Sequence, residues 1–262
     1  MSERTIQVFY NWLDRWDERR AQRGNEEKKV TDVVLAAELA FPGAGNVASI
    51  ADFCDLADQA VADPSYFDEP IGSELSFETR KGWISFPSDI STETDENNTV
   101  FARITKGRSF DHALVVFHHW NARSRNDLLA KSFAGQDITV VEIALPYHLE
   151  RKRPGSSHAD YMLSANLGKT IRSVRQGVLD GRKLIRWLRA EGCKEISVLG
   201  ISLGSWVAGL IAAQDPTVRK AALFLTAGSL ADMVWTGRAT QSIRASLEPT
   251  IKLPELNRAW GP

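Results

Sequence analysis

The chain has 262 residues, 43% hydrophobic and 25% charged, which is enough material for one large domain with a buried core. A formal net charge of -1 gives no electrostatic reason to expect a nucleic acid or an anionic membrane as partner. Cys54 and Cys193 are too few and too far apart for a disulfide framework, Met1-Ser2-Glu3-Arg4 opens no apolar leader, and no run approaches the roughly 18 apolar residues of a membrane span, so a soluble cytoplasmic protein is expected.

Residues 1–70 read as a helical N-terminal extension. Ile6, Phe9, Leu13 and Trp16 recur at helical spacing with charges between them. A charged loop, Arg23 to Lys29, leads to a second predicted helix, Thr31 to Leu39, stopped by Pro42-Gly43, and a third is expected from Val47 to Ala60. Gly43-Ala-Gly45-Asn-Val-Ala48 fits the dinucleotide-binding pattern G-x-G-x-x-A. Ala36-Ala37-Glu38-Leu39 before it favours helix over strand, however, so a break between helices is the better reading.

From residue 71 onward the period changes. Strands are expected at Leu75 to Thr79, Trp83 to Phe86, Val100 to Thr105, Ala113 to Phe117, Ile138 to Ile143, Ile196 to Gly200 and Ala221 to Leu225, the first two joined at Lys81-Gly82. The segment Ser91 to Asn98 reads as an acidic, polar loop. Ile171, Val174, Val178, Ile185 and Leu188 mark a long amphipathic helix, and Leu203 to Ala213 reads as a further helix. Apolar strands separated by helix-sized intervals predict an α/β fold with a mostly parallel sheet covered on both faces. Ser229 to Ala245 reads as helical or lid-like, and Leu247 to Leu256 as a connector.

The most informative segment is Gly200-Ile201-Ser202-Leu203-Gly204, placed where a strand turns directly into a helix. In that setting G-x-S-x-G forms a nucleophile elbow, with the serine Oγ exposed at the end of a buried strand. Gly200 keeps a Cβ out of the crowded turn and Gly204 lets the helix pack closely, while the helix start directs backbone N–H groups towards an oxyanion.

With this motif in this strand–helix order, residues 83–245 resemble the α/β-hydrolase superfamily, in its esterase and dienelactone-hydrolase-like part. The resemblance implies a three-layer α/β-hydrolase sheet over residues 71–262 with Ser202 as nucleophile. It places the oxyanion between the backbone N–H of Leu203 and that of Trp120 or its neighbour Asn121. His118-His119-Trp120-Asn121 occupies the family's His-Gly-x position with His119 in place of glycine, and a strand-end pair making structural hydrogen bonds is an equal reading of His118-His119. No cofactor and no metal are implied.

In the family the acid and the base follow strands beyond Ala221 to Leu225. Here the five histidines, His112, His118, His119, His148 and His158, all precede Ser202, and the seventh and eighth core strands are missing. Asp232 is a low-ranking acid, equally read as an N-terminal helix charge. Arg151-Lys152-Arg153 is either a solvated loop or a contact for an anionic group.

The sequence thus predicts a serine hydrolase truncated after its sixth core strand, acting on a small-molecule ester or thioester. The alternative is a catalytically inactive relative that binds a ligand or partner. In a chain so truncated Ala221 to Leu225 would be an edge strand, and the expectation is poor solubility or self-association through that edge unless residues 229–262 fold back over it.

Overall fold

The computed structural model describes residues 28–70 and 72–261, with Arg15, Glu18, Arg19, Ala21, Gln22 and Asn25. The helix expected around Ile6 to Trp16 lies outside the described residues. By their contacts the residues form two compact units. One comprises Met1–Gln59, Ser164–Gly168 and Ala227–Pro262, the other Ala60–Leu163 and Lys169–Thr226. A single cut near residue 70 does not reproduce this division, because residues 227–262 group with the start of the chain.

In the first unit, Thr31 to Leu39 is not the expected helix. Val34 makes a parallel bridge with Asn166, and the N–H groups of Leu167 and Gly168 donate to the carbonyls of Val34 and Leu35 at 2.8 Å each. Only α1, Ala37–Ala40, coils. The β-branched pair Val33-Val34 favours extended backbone, and Gly168 allows the close approach, since a Cβ there would overlap the Ala36 carbonyl. Helix α2 spans Ile50–Ala62. The Ser49 Oγ caps it by accepting from the Asp52 N–H at 3.1 Å.

The second unit is built on a seven-stranded sheet in the order β1-β2-β3-β5-β4-β6-β7. Its strands are β1 Glu78–Arg80, β2 Trp83–Pro87, β3 Thr99–Thr105, β4 His112–Phe117, β5 Thr139–Ile143, β6 Glu195–Ile201 and β7 Val218–Phe224. Each expected strand is present within a few residues of its predicted place. Lys81 and Gly82, both at positive φ (48° and 78°), form the two-residue turn that joins β1 to β2. Five strands run one way and β1 and β3 the other. Three of the six pairings are therefore antiparallel, while β5, β4, β6 and β7 form a continuous parallel block.

The three layers follow from period-two burial. On one face of β4, Leu114 and Val116 join Val140 and Leu199 against Ala130, Leu129 and Phe133 of helix α3, Asp127–Gly135. On the other face Phe117 meets helix α4, Leu167–Ala190, at Gly181, where a Cβ would press on the Phe117 ring and on Ile211 of helix α5, Leu203–Gln214.

After β7 the chain continues, in the first unit, as α6 Leu230–Thr236, α7 Gln241–Leu247 and α8 Leu253–Ala259. The stretch read as a connector therefore ends in a helix. Its entry is fixed by the Lys252 N–H donating to Glu255 Oε2 at 2.7 Å and by Pro254 in the first turn. No further strand occurs among the described residues, and none of their helices is long and apolar enough to cross a membrane.

Candidate active site

Ser202 lies between the last residue of β6 and the first of α5, with φ 51° and ψ -119°. That backbone conformation is costly for a residue with a Cβ, and it persists because both flanks are over-determined. The Ser202 N–H donates to the Phe224 carbonyl of β7 at 2.8 Å, and the Ser202 carbonyl accepts from the N–H and Oγ of Ser205 at 2.7 and 2.6 Å. A Cβ on Gly200 would fall on the Gly204 carbonyl and the Ser205 Cα. One on Gly204 would fall on the carbonyls of Phe117 and His118 at the end of β4. The second glycine therefore admits the neighbouring strand's end rather than the helix's own strand.

The N–H of Leu203 belongs to the first turn of α5, whose donors have no intrahelical acceptor. In the sheet β4 lies beside β6, with Phe117 paired to Gly200, so His118 to Trp120 emerge alongside the elbow. Chain connections leave β4 towards β5 and β6 towards β7, in opposite directions, and the crevice between two such strand ends is where α/β sheets take ligands.

Of the two amides weighed as second oxyanion donor, that of Asn121 is engaged, donating to His148 Nε2 at 2.9 Å. The Trp120 side chain is engaged too, its Nε1–H donating to the Ala159 carbonyl at 3.1 Å.

The histidines divide sharply. His112 opens β4, at the end of the sheet opposite Ser202, and its Nε2 lies 3.0 Å from Ser197 Oγ. His118 uses both ring nitrogens: Nδ1–H donates to the His119 carbonyl at 2.9 Å and Nε2 accepts from the Leu145 N–H at 3.1 Å. His148 does the same, between the Pro146 carbonyl at 2.8 Å and the Asn121 N–H. The two rings meet edge to face, their centroids 4.8 Å apart. Burial holds His118 neutral, with its pKa lowered to about 4, and holds His148 well below the ordinary histidine range. The reading of His118 as a structural strand-end residue is the one its bonds describe. His148, which the sequence reading passed over, is its counterpart after β5.

Asp232 occupies the first turn of α6. Its N–H donates to the capping Ser229 Oγ at 2.8 Å, and its Oδ1 accepts from Asn257 Nδ2 at 3.3 Å. Arg151 is no solvated cation. Fully buried, it pairs with Asp180 Oδ2 of α4 at 2.8 Å and donates to the carbonyls of Asn97 and Ala144. Arg153 pairs with Asp160 at 3.2 Å. No group of acidic, histidine or cysteine side chains that could hold a metal occurs among the described residues.

No protein-family model matches the sequence, and no curated protein matches it. Solved structures do. An acetyl xylan esterase from Paenibacillus sp. R4 aligns over 86% of this chain and 77% of its own, with 14% identity and a TM-score of 0.50. Acetyl Xylan Esterase 1 from Thermoanaerobacterium sp. JW/SL YS485 aligns over 87% and 77%, with 19% identity and a TM-score of 0.47. A cold-adapted esterase from an Arctic intertidal metagenomic library is covered over 64% of its length and 58% of this chain, with 18% identity and a TM-score of 0.40. Two further matched structures are spanned for only 53% and 43% of their length. The strand order and the match to the Paenibacillus structure define one class: the chain has the α/β-hydrolase fold.

Proposed function

We propose that this chain is a serine hydrolase that cleaves a carboxylic ester or thioester through an acyl-enzyme on Ser202. The observation that carries the reading is the backbone of Ser202, held at φ 51° and ψ -119° between a buried strand and a helix start by two glycines that admit no Cβ. Strain of this kind is spent where a nucleophile must be presented. The matched Paenibacillus protein is an acetyl xylan esterase, which supports the reading.

In the mechanism Ser202 Oγ attacks the acyl carbonyl, and the developing oxyanion takes hydrogen bonds from the N–H groups of Leu203 and Trp120. The alcohol or thiol leaves, and water then releases the acyl group. A base must accept the Oγ proton. His118 and His148 are unsuited to that role because both nitrogens of each ring are engaged, and His112 because it sits at the far end of β4.

Those same bonds favour a second reading, a ligand-binding protein on a hydrolase scaffold. A fluorophosphonate probe separates the two. The hydrolase reading expects labelling confined to Ser202 and abolished in Ser202→Ala. Labelling that persists in Ser202→Ala overturns the assignment, and a folded chain that never labels supports the binding protein.

A further inference from the structure

A cavity of about 470 Å³ opens over the carboxyl ends of β4 and β5. Three loops build it: that after β4 (Asn121 to Arg123), that after β5 (Tyr147 to Lys152), and Ser157 to Ala159. Its charged lining has one sign. Arg123 and Lys152 are exposed and form no ion pair among the described residues, and no Asp or Glu lines the cavity. The other cations on these loops are neutralised by carboxylates: Arg125 by Glu150, Arg151 by Asp180 and Arg153 by Asp160.

The frame around these two cations is stiff and costly. Three of the eight non-glycine residues at positive φ, Asn121 (57°), Tyr147 (61°) and Leu149 (50°), line this one cavity. Buried polar bonds hold them there. The His148 ring ties the Asn121 N–H to the Pro146 carbonyl, and Asn121 Oδ1 accepts from the Ala159 N–H at 2.8 Å. The Tyr147 N–H donates to Asn97 Oδ1 at 2.9 Å. Backbone strain and a buried histidine committed to one surface depression mark a pre-organised site.

We infer that this cavity is a binding subsite for an oxyanion group, a carboxylate or a phosphate, clamped between the Arg123 guanidinium and the Lys152 ammonium. Two cations in the lining of one cavity match such a group in charge and in hydrogen-bonding capacity, and the guanidinium fork suits two oxygens at once. Because the loop after β4 also supplies Trp120, an ester whose acyl or alcohol part ends in an anion is the substrate class this subsite selects. Calling the ligand a substrate rests on the serine-hydrolase reading; the anion site does not.

The test is titration of the chain with glutarate and, separately, with inorganic phosphate, followed by calorimetry and by the amide resonances of Asn121, Leu149 and Ala159. Saturable binding of at least one anion is expected. It should weaken by about tenfold or more in Arg123→Gln/Lys152→Gln, and stay unchanged in Lys131→Gln, an exposed lysine of α3. The tighter of the two anions identifies the source of the group. Binding that survives the double substitution, or amides unmoved by both anions at millimolar concentration, overturns the proposal. Both cations are exposed, so the variants keep the fold, which their far-ultraviolet circular dichroism verifies. Ser202→Ala should leave anion binding intact, so loss of fluorophosphonate labelling and loss of anion binding report separately on the nucleophile and on the subsite.

Discussion

At Gly200 and Gly204 a single methyl group decides whether the elbow can close. Either alanine would press its Cβ into backbone atoms, which cannot yield as the far end of a side chain can. Gly204→Ala should therefore destabilise the chain by about 3 kcal/mol or more, read as a lowered urea midpoint at unchanged slope. Fluorophosphonate labelling of whatever folded fraction remains should fall with it. A second residue-scale expectation concerns acid. The imidazoles of His118 and His148 stay neutral in the fold well below the ordinary histidine pKa, His118 down to about 4. Between pH 6.5 and about 4 the unfolded chain takes up protons that these rings refuse, so stability is lost as pH falls through that window. Above it neither ring contributes any pH dependence. Glu93 adds loss at lower pH. Burial raises its pKa, but hydrogen bonds from Lys169 and Arg172 outweigh that and bring it to about 2, so its contribution disappears between pH 4.5 and 2. Urea midpoints from pH 7.5 to 4.5 should decline in the wild type and decline less steeply in His148→Gln, where His118 alone still refuses its proton. A wild-type profile without slope over that range would contradict the neutral, bonded imidazoles.

Helix α4 carries a feature that hydrophobic periodicity conceals. Arg172, Gln176, Asp180 and Lys183 form a buried polar stripe on a helix whose apolar positions alone define it as amphipathic. Each finds its partner in the segment before β3 or after β5. Gln176 Oε1 accepts from Asn97 Nδ2 at 2.9 Å, Asp180 Oδ1 accepts from Ser88 Oγ at 2.7 Å, and Lys183 Nζ meets Asp89 at 2.6 Å. The acidic stretch Ser91 to Asn98, read from sequence as a polar loop, is thereby pinned, with Asn97 fully buried. Sequence pattern located the strands and α4 because their apolar spacing is a local property. It missed this seam, and the burial of Arg151, because a charge reads as solvent-facing until its partner, here Asp180 on another element, is known. The long-range bridge of Val34 to Asn166 was hidden for the same reason. Arg151→Met should leave Asp180 buried without its counter-charge and cost about 3 to 5 kcal/mol, whereas Arg151→Met/Asp180→Leu should recover much of that loss. Equal destabilisation by the single and double variants, measured in urea, would show that the pair does not act as a unit.

Across the whole molecule the fold class was legible because apolar strands alternate with helix-sized intervals, a pattern that calls for a sheet covered on both faces. The elbow was legible because Gly-x-Ser-x-Gly fixes a turn locally. The cavity over β4 and β5 was not, since three loops distant in sequence assemble it. One whole-molecule expectation concerns the outer strand of the parallel block. β7 pairs with β6 on one side only and ends the sheet among the described residues. Leu223, Phe224 and Leu225 are 40%, 54% and 81% exposed. Unpaired backbone groups beside apolar side chains are a template for another strand, and a second copy offers the same edge in a self-complementary, two-fold arrangement. The chain should therefore dimerise in a concentration-dependent way, with the outward amides of β7 becoming slow to exchange as concentration rises. Phe224→Lys is the informative substitution. Ala222 packs against the cluster of Leu114, Val116 and Leu199, so a charge there would disturb the core, whereas Phe224 offers a side chain more than half exposed. Its carbonyl, which holds the Ser202 N–H, is untouched by the change. Sedimentation should show the wild type shifting from monomer to dimer over micromolar to hundred-micromolar concentrations and Phe224→Lys remaining monomeric. A wild type that stays monomeric throughout, with β7 amides exchanging fast at every concentration, would exclude the edge as a self-association surface.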